Sequence, residues 1–222
     1  MATDSRVKRI LFQGDSVTDC GRDRGDGWNL GEGYAKFFAH LWEEERRAEV
    51  EEAPTYLYLN RGISGDRTKD ILNRFEKDVV QLKPDVVFLL IGINNTWRAF
   101  DRNDPTPSDV FRDEYERICQ NILALESGPK LILLEPFILP SHPDYALYRT
   151  DLDPKIHVIR DLADKYADLY VPLDGLLNAR ALNGPGAEAL AEDGVHPTQE
   201  GHETIADYLI QFLQNDAATD LL

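Results

Sequence analysis

Between Pro84-Asp85 and Gly92 lies an unbroken apolar run, Val86-Val87-Phe88-Leu89-Leu90-Ile91. A strand with one face in water alternates polar and apolar residues, so a run with no polar member belongs to a strand covered on both faces. Helices supply that cover, because parallel strands need long crossover connections. Four further runs have strand length: Arg9–Gln13, Thr55–Leu59, Lys130–Leu134 and Leu169–Leu173. Segments of helical period separate them. Gly33–Arg47 carries Tyr34, Phe37, Phe38, Leu41 and Trp42 in one stripe, and Thr68–Leu82 carries Ile71, Leu72, Phe75, Val79 and Leu82. Asp109–Leu125, Pro154–Tyr166 and Thr198–Gln214 complete the alternation, with Pro140–Asp153 reading as a long loop.

The expected architecture is α/β, a single three-layer α/β/α domain over residues 1–222 with a flavodoxin-like five-stranded parallel sheet. A chain of 222 residues fills one core of that size. Residues 1–8 and 215–222 are expected as flexible ends. No apolar run approaches the roughly 20 residues of a spanning helix. The basic start, Met1 to Arg9, is followed by only Ile10 to Phe12, too short for a signal-peptide core, so the expected location is cytoplasmic. A formal charge of -16 repels phosphate backbones and anionic bilayers, so neither nucleic acid nor membrane is an expected partner. Cys20 and Cys119 read as separate reduced thiols.

In such sheets ligands sit beyond the carboxyl ends of the strands. Ser16 follows the first strand, Gly65 the second and Asn94 the third, which places all three on one rim. A serine needs a base to take its proton. Asp193-Gly194-Val195-His196-Pro197 offers one, with a carboxylate spaced to hold the ring while its other nitrogen stays free. Acyl transfer also needs donors for a developing oxyanion. The Ser16 N–H, the Gly65 N–H and the Asn94 amide are the candidates. Each piece has a plainer reading: Asp15 or Ser16 as a helix cap, Gly62 and Gly65 as turn glycines, Asp193-Gly194 as a turn before a helix capped by Thr198.

Together, Gly14-Asp15-Ser16-Val17, Gly62-Ile63-Ser64-Gly65-Asp66, Gly92-Ile93-Asn94-Asn95 and Asp193-Gly194-Val195-His196-Pro197 resemble the four blocks of the SGNH (GDSL-type) hydrolases, in their order. The resemblance implies Ser16 as nucleophile, His196 and Asp193 as its triad partners, and Ser16, Gly65 and Asn94 as the oxyanion hole. It departs at Asn95, where the family usually has aspartate, and this bears on the hydrogen bonding of that loop. Asp19-Cys20-Gly21-Arg22 and Thr96-Trp97-Arg98 look most like the intracellular carbohydrate and xylan acetylesterases. That likeness implies O-deacetylation of xylo-oligosaccharides, a homo-oligomer, and no metal or organic cofactor. Asp15, Trp97 and Arg98 are the expected substrate contacts. Trp28 in the Gly25–Gly33 rim segment and the Pro140–Asp153 loop are expected as walls.

Two other classes stay open at this level. Asp15, Asn94, Asp193 and His196 are residue types that build hydrolytic metal centres, as in a metal-dependent phosphoesterase. A flavodoxin-like fold also suits a non-catalytic sugar- or nucleotide-binding domain. The sequence has neither G-x-x-x-x-G-K-[ST] nor G-x-S-x-G, which excludes a phosphate-cradling P-loop and the nucleophile elbow of the other large serine esterase class.

Overall fold

Five strands form one parallel sheet: β1 (Lys8–Gly14), β2 (Tyr56–Asn60), β3 (Val86–Leu90), β4 (Lys130–Leu134) and β5 (Leu169–Val171). Their order is β2-β1-β3-β4-β5, so the chain reverses direction across the sheet beside β1. The computed structural model describes residues 7–49, 54–214 and 221–222. Among the described residues ten helices connect or flank the strands. They are α1 (Ser16–Asp19), α2 (Tyr34–Glu49), α3 (Thr68–Asn73), α4 (Phe75–Asp78), α5 (Ile93–Asp101), α6 (Ser108–Leu123), α7 (Tyr145–Tyr166), α8 (Leu173–Asn183), α9 (Ala187–Leu190) and α10 (Gln199–Leu213).

The reason for the unbroken apolar run is visible in β3. Val86, Phe88 and Leu90 face a cluster with Phe12, Phe38 and Leu209, under α2, α8 and α10. Val87 and Leu89 face the opposite cluster with Ile71, Ile118 and Ile159, under α3, α6 and α7. Both faces are buried, as parallel strands require. Among the described residues no helix is long and apolar enough to cross a membrane. Cys20 and Cys119 are both free thiols.

Three expectations need correction. The helix expected over Thr68–Leu82 is broken into α3, α4 and a 3-10 turn at Val80–Leu82. Arg74 sits at the break; besides Asp78 at 2.8 Å it donates to Asp66 at 2.7 Å and the Gly14 carbonyl at 3.2 Å, bonds that hold it from outside the helix. The expected loop Pro140–Asp153 is helical from Tyr145, and α7 runs through Pro154. Proline removes one bond to Thr150. Leu152, Ile156 and Ile159 on one buried face, and Arg149 tied to Asp174 at 2.7 Å and the Ile138 carbonyl at 2.7 Å, hold the helix together. At the ends, Lys8 already belongs to β1, while Leu221 and Leu222 pack into the core rather than fraying. The remainder of the expected flexible ends, 1–6 and 215–220, lies outside the described residues.

Candidate active site

β1 stops at Gly14 and the chain turns at once into α1. Asp15 caps that helix, its carboxylate accepting the Val17 N–H at 3.1 Å. Ser16 is therefore the first helical residue, and its N–H has no protein acceptor among the described residues. β2 leads to Gly65, and β3 leads through Gly92 to Asn94 in the first turn of α5. The loop between α9 and α10 brings Asp193 and His196 to the same rim, and Thr198 caps α10 by accepting the Gly201 N–H at 3.2 Å. Ser16, Gly65, Asn94 and His196 line one open cleft of about 610 Å³.

The hydroxyl of Ser16 meets His196 Nε2 at 2.9 Å, and His196 Nδ1 meets Asp193 Oδ2 at 2.6 Å. The other carboxylate oxygen of Asp193 accepts the N–H groups of Val195 at 3.0 Å and His196 at 2.7 Å. Burial pushes the Asp193 carboxyl up, but the bonds from the His196 ring and from these N–H groups outweigh it and hold it below its ordinary value. An ionised Asp193 puts the imidazole proton on Nδ1, which leaves Nε2 as the acceptor facing Ser16. The His196 side chain is 55% exposed, which places the ring at the mouth of the cleft.

Gly65 has φ +89°, a conformation that any side chain would strain, and nothing lies within 4 Å of where a Cβ would stand. Its N–H has no protein acceptor among the described residues. Asn94 donates one amide hydrogen to the Asp66 carbonyl at 3.1 Å and accepts from Arg98 at 3.5 Å, which fixes the amide and leaves its second N–H uncommitted. Asn95 is fully buried and lies behind the cleft. Its oxygen accepts the Thr68 N–H at 3.2 Å, and its amide donates to Thr68 Oγ1 at 2.9 Å and Thr106 Oγ1 at 3.3 Å. The loop is satisfied with asparagine.

Trp97 and Arg98 line the cleft, as expected, and Cys20 does too. The Trp97 ring packs on Tyr145 and Tyr148, with centroids at 6.0 and 5.6 Å. Asp15 is a correction. It is 1% exposed beneath the cleft, where burial pushes its carboxyl up to about 7, so it caps α1 and offers substrate no open atom. Trp28 stands 63% exposed outside the cleft, and Pro140 to Pro143 line a separate cavity of about 480 Å³. Among the described residues no three His, Cys, Asp or Glu side chains converge as a metal site.

Three residues in and around the cleft make contacts to which the sequence assigned no role. Tyr145 donates its hydroxyl to the Asp193 carbonyl at 2.6 Å and so braces the histidine loop. His202 of α10 is buried and accepts the Tyr34 N–H on Nδ1 at 3.1 Å; burial, then the charge of His196, push its pKa down to about 4. Asp19 closes the helix that Ser16 opens. The only sequence signal was for Asp19, which stands one helical turn beyond Ser16.

The profile of the GDSL-like lipase/acylhydrolase family matches residues 12–204. The chain is 34% identical over 206 residues to an acetylxylan esterase of Geobacillus stearothermophilus, covering 90% of each. The solved structure of Axe2, an acetylxylan esterase of the same organism, superposes with a TM-score of 0.82 at 28% identity, over 95% of each chain. LAE5, an alpha/beta hydrolase enzyme from the metagenome of Lake Arreo, Spain, gives 0.81 at 26% identity, over 99% of this chain and 100% of that one. Other Axe2 structures are of catalytic mutants in which a serine or a histidine is replaced by alanine.

Proposed function

The chain belongs to the GDSL-like lipase/acylhydrolase family, whose members are carboxylic ester hydrolases, and from that premise we propose that it removes acetyl groups from oligosaccharides, xylo-oligosaccharides above all, through Ser16, His196 and Asp193. The observation that carries the reading is the unbroken line from the Ser16 hydroxyl through the His196 ring to the Asp193 carboxylate, with contacts of 2.9 and 2.6 Å. His196 takes the Ser16 proton as the hydroxyl attacks the ester carbonyl. The N–H groups of Ser16 and Gly65 and the free Asn94 N–H receive the oxyanion. The imidazolium is held by Asp193, returns its proton to the leaving alcohol, then activates water to release acetate. The reading asks for no metal or organic cofactor and needs one domain.

The open cleft favours a large alcohol over a long acyl chain. A base that is 55% exposed leaves its proton at the solvent edge, where an oligosaccharide can project outward. Trp97, one turn beyond Asn94 and open to the cleft, offers a flat face to a sugar ring. The test is a panel of acetylated xylo-oligosaccharides against longer-chain esters and thioesters, with acetate release as readout. Acetate from the sugars with poor turnover of long chains supports the reading. Preference for long acyl chains or thioesters overturns the substrate assignment, and full activity of Ser16→Ala overturns the mechanism.

A further inference from the structure

Gly65 can serve as an oxyanion donor only if its peptide is held still, and the stretch between Asn60 and Thr68 that carries it has no helix or strand of its own. Backbone bonds secure its first half: Arg61 N–H to the Phe12 carbonyl at 2.8 Å and Ile63 N–H to the Gly14 carbonyl at 3.1 Å. The next anchor is a side chain. One carboxylate oxygen of Asp19 accepts the Ser64 N–H at 3.0 Å and the Ser64 hydroxyl at 2.8 Å, and it also accepts from Arg24.

Asp19 is 4% exposed and ends α1, the four-residue helix that Ser16 begins. The loop lies directly on that helix: a Cβ on Gly62 would stand 2.4 Å from the Asp19 nitrogen. Arg22 clamps the same place from the other side, donating to the Gly62 carbonyl at 2.9 Å. Binding both the N–H and the hydroxyl of Ser64 fixes the peptide before its Cα and its side chain. The Asp66 N–H bond to the Ile63 carbonyl at 3.1 Å closes the turn around the peptide that follows, which bears the Gly65 N–H. Burial works against a charged Asp19, yet the Arg24 and Ser64 bonds keep its carboxyl below the ordinary range.

We propose that Asp19 is a positioning residue for the oxyanion hole: its carboxylate pins the Ser64–Gly65 peptide to α1, so that nucleophile and hole are carried by one rigid unit. It touches no reacting atom. The proposal rests on the reading of Gly65 as a donor and assigns the device that aims it.

The experiment compares Asp19→Ala, Asp19→Asn and Ser64→Ala in the full chain, using p-nitrophenyl acetate and a short alkyl boronic acid as a tetrahedral mimic. Asp19→Ala is expected to lower kcat about tenfold to a hundredfold, with KM within about twofold and boronate affinity lost in proportion. The pH midpoint of kcat should not move, because His196 and Asp193 are untouched. Asp19→Asn keeps an oxygen for Ser64 and should recover most of kcat, while Ser64→Ala, which retains the backbone bond, falls between them. A purely structural Asp19 would lower the unfolding temperature in these variants and leave kcat and boronate affinity at wild-type values, and that result overturns the proposal. If Asp19→Ala does not fold, the ordering of the other two decides: equal and undiminished kcat also overturns it. A failure of the esterase reading itself would show separately, as no labelling of wild-type Ser16 by a fluorophosphonate.

Discussion

The Ser16 hydroxyl and His196 Nε2 stand 2.9 Å apart although 180 residues separate them in the chain. The fold unites them by ending β1 and beginning α10 at the same rim. In the proposed mechanism Nε2 must be unprotonated before attack, and Asp193 favours that state by accepting from Nδ1 at 2.6 Å.

Asp193→Asn should therefore lower kcat by about 10⁴-fold with a small change in KM, because the amide no longer selects the productive tautomer. The asparagine oxygen can still accept the Val195 and His196 N–H groups, so the loop and the unfolding temperature should hold. Steady-state kinetics on p-nitrophenyl acetate checks this; a loss below tenfold contradicts the assigned role of Asp193.

Asn95→Asp, the change toward the family's usual residue, should destabilise this chain. Thr68 Oγ1 receives the Asn95 amide and donates its own hydrogen to Glu114, so a carboxylate at that position would face lone pairs in a fully buried place. The expected loss is about 1–3 kcal/mol in urea unfolding. Adding Glu114→Gln should recover part of it, since the glutamine amide can donate to Thr68 and release the threonine hydrogen. No recovery would show that Glu114 is not what makes asparagine the better residue here.

Asp15 and His202 set opposing pH dependences of stability. Burial raises Asp15 from 3.8 to about 7, so the folded form holds a proton that the unfolded chain releases, and stability falls as pH rises from about 4 to about 7. Burial lowers His202 from 6.5 to about 4, so its contribution is present above 6.5 and is lost as pH falls toward about 4. Between these limits the two slopes offset each other. Asp15→Asn should raise stability near neutral pH by a few kcal/mol, at about 1.4 per pH unit removed. It should also expose the His202 slope, with urea midpoints falling on acidification. Variant midpoints that stay level through that range would refute the His202 assignment, and a variant slope no steeper than that of wild type would refute the Asp15 assignment.

Strand positions and the four rim blocks were legible because both follow from short stretches: continuous burial leaves continuous apolar runs, and each rim residue stands just past a strand. What was not legible depends on contacts distant in sequence. Nothing near Pro154 announces that Arg149 is held by Asp174 and Ile138, which is why α7 begins nine residues before the expected helix start at Pro154 and the aromatic wall of Tyr145 and Tyr148 was read as loop. Asp15 stands beside Ser16 in sequence, yet the cap it makes turns it inward. Asp19 is bound by Ser64 across 45 positions of chain that include α2 and β2, a pairing that no local pattern carries.

Trp97 is the residue at which a sugar-reading role and an acyl-limiting role for the proposed cleft can be told apart. Its indole is half-buried, supported from behind by Tyr145 and Tyr148, and Phe100 stacks on Tyr148 with centroids 4.2 Å apart, so the exposed part of the ring is held in a fixed plane at the cleft. A preset aromatic plane gives a sugar face-on packing worth about 0.5–1.5 kcal/mol without ordering cost. Trp97→Ala should then raise KM for acetylated xylo-oligosaccharides roughly threefold to tenfold. Turnover of p-nitrophenyl acetate should stay within about threefold, and Trp97→Phe should fall between the two. If both substrates lose activity alike, the ring packs against the acyl group or supports α5 and does not read the sugar. If longer acyl esters become better substrates, Trp97 is the wall that limits acyl length.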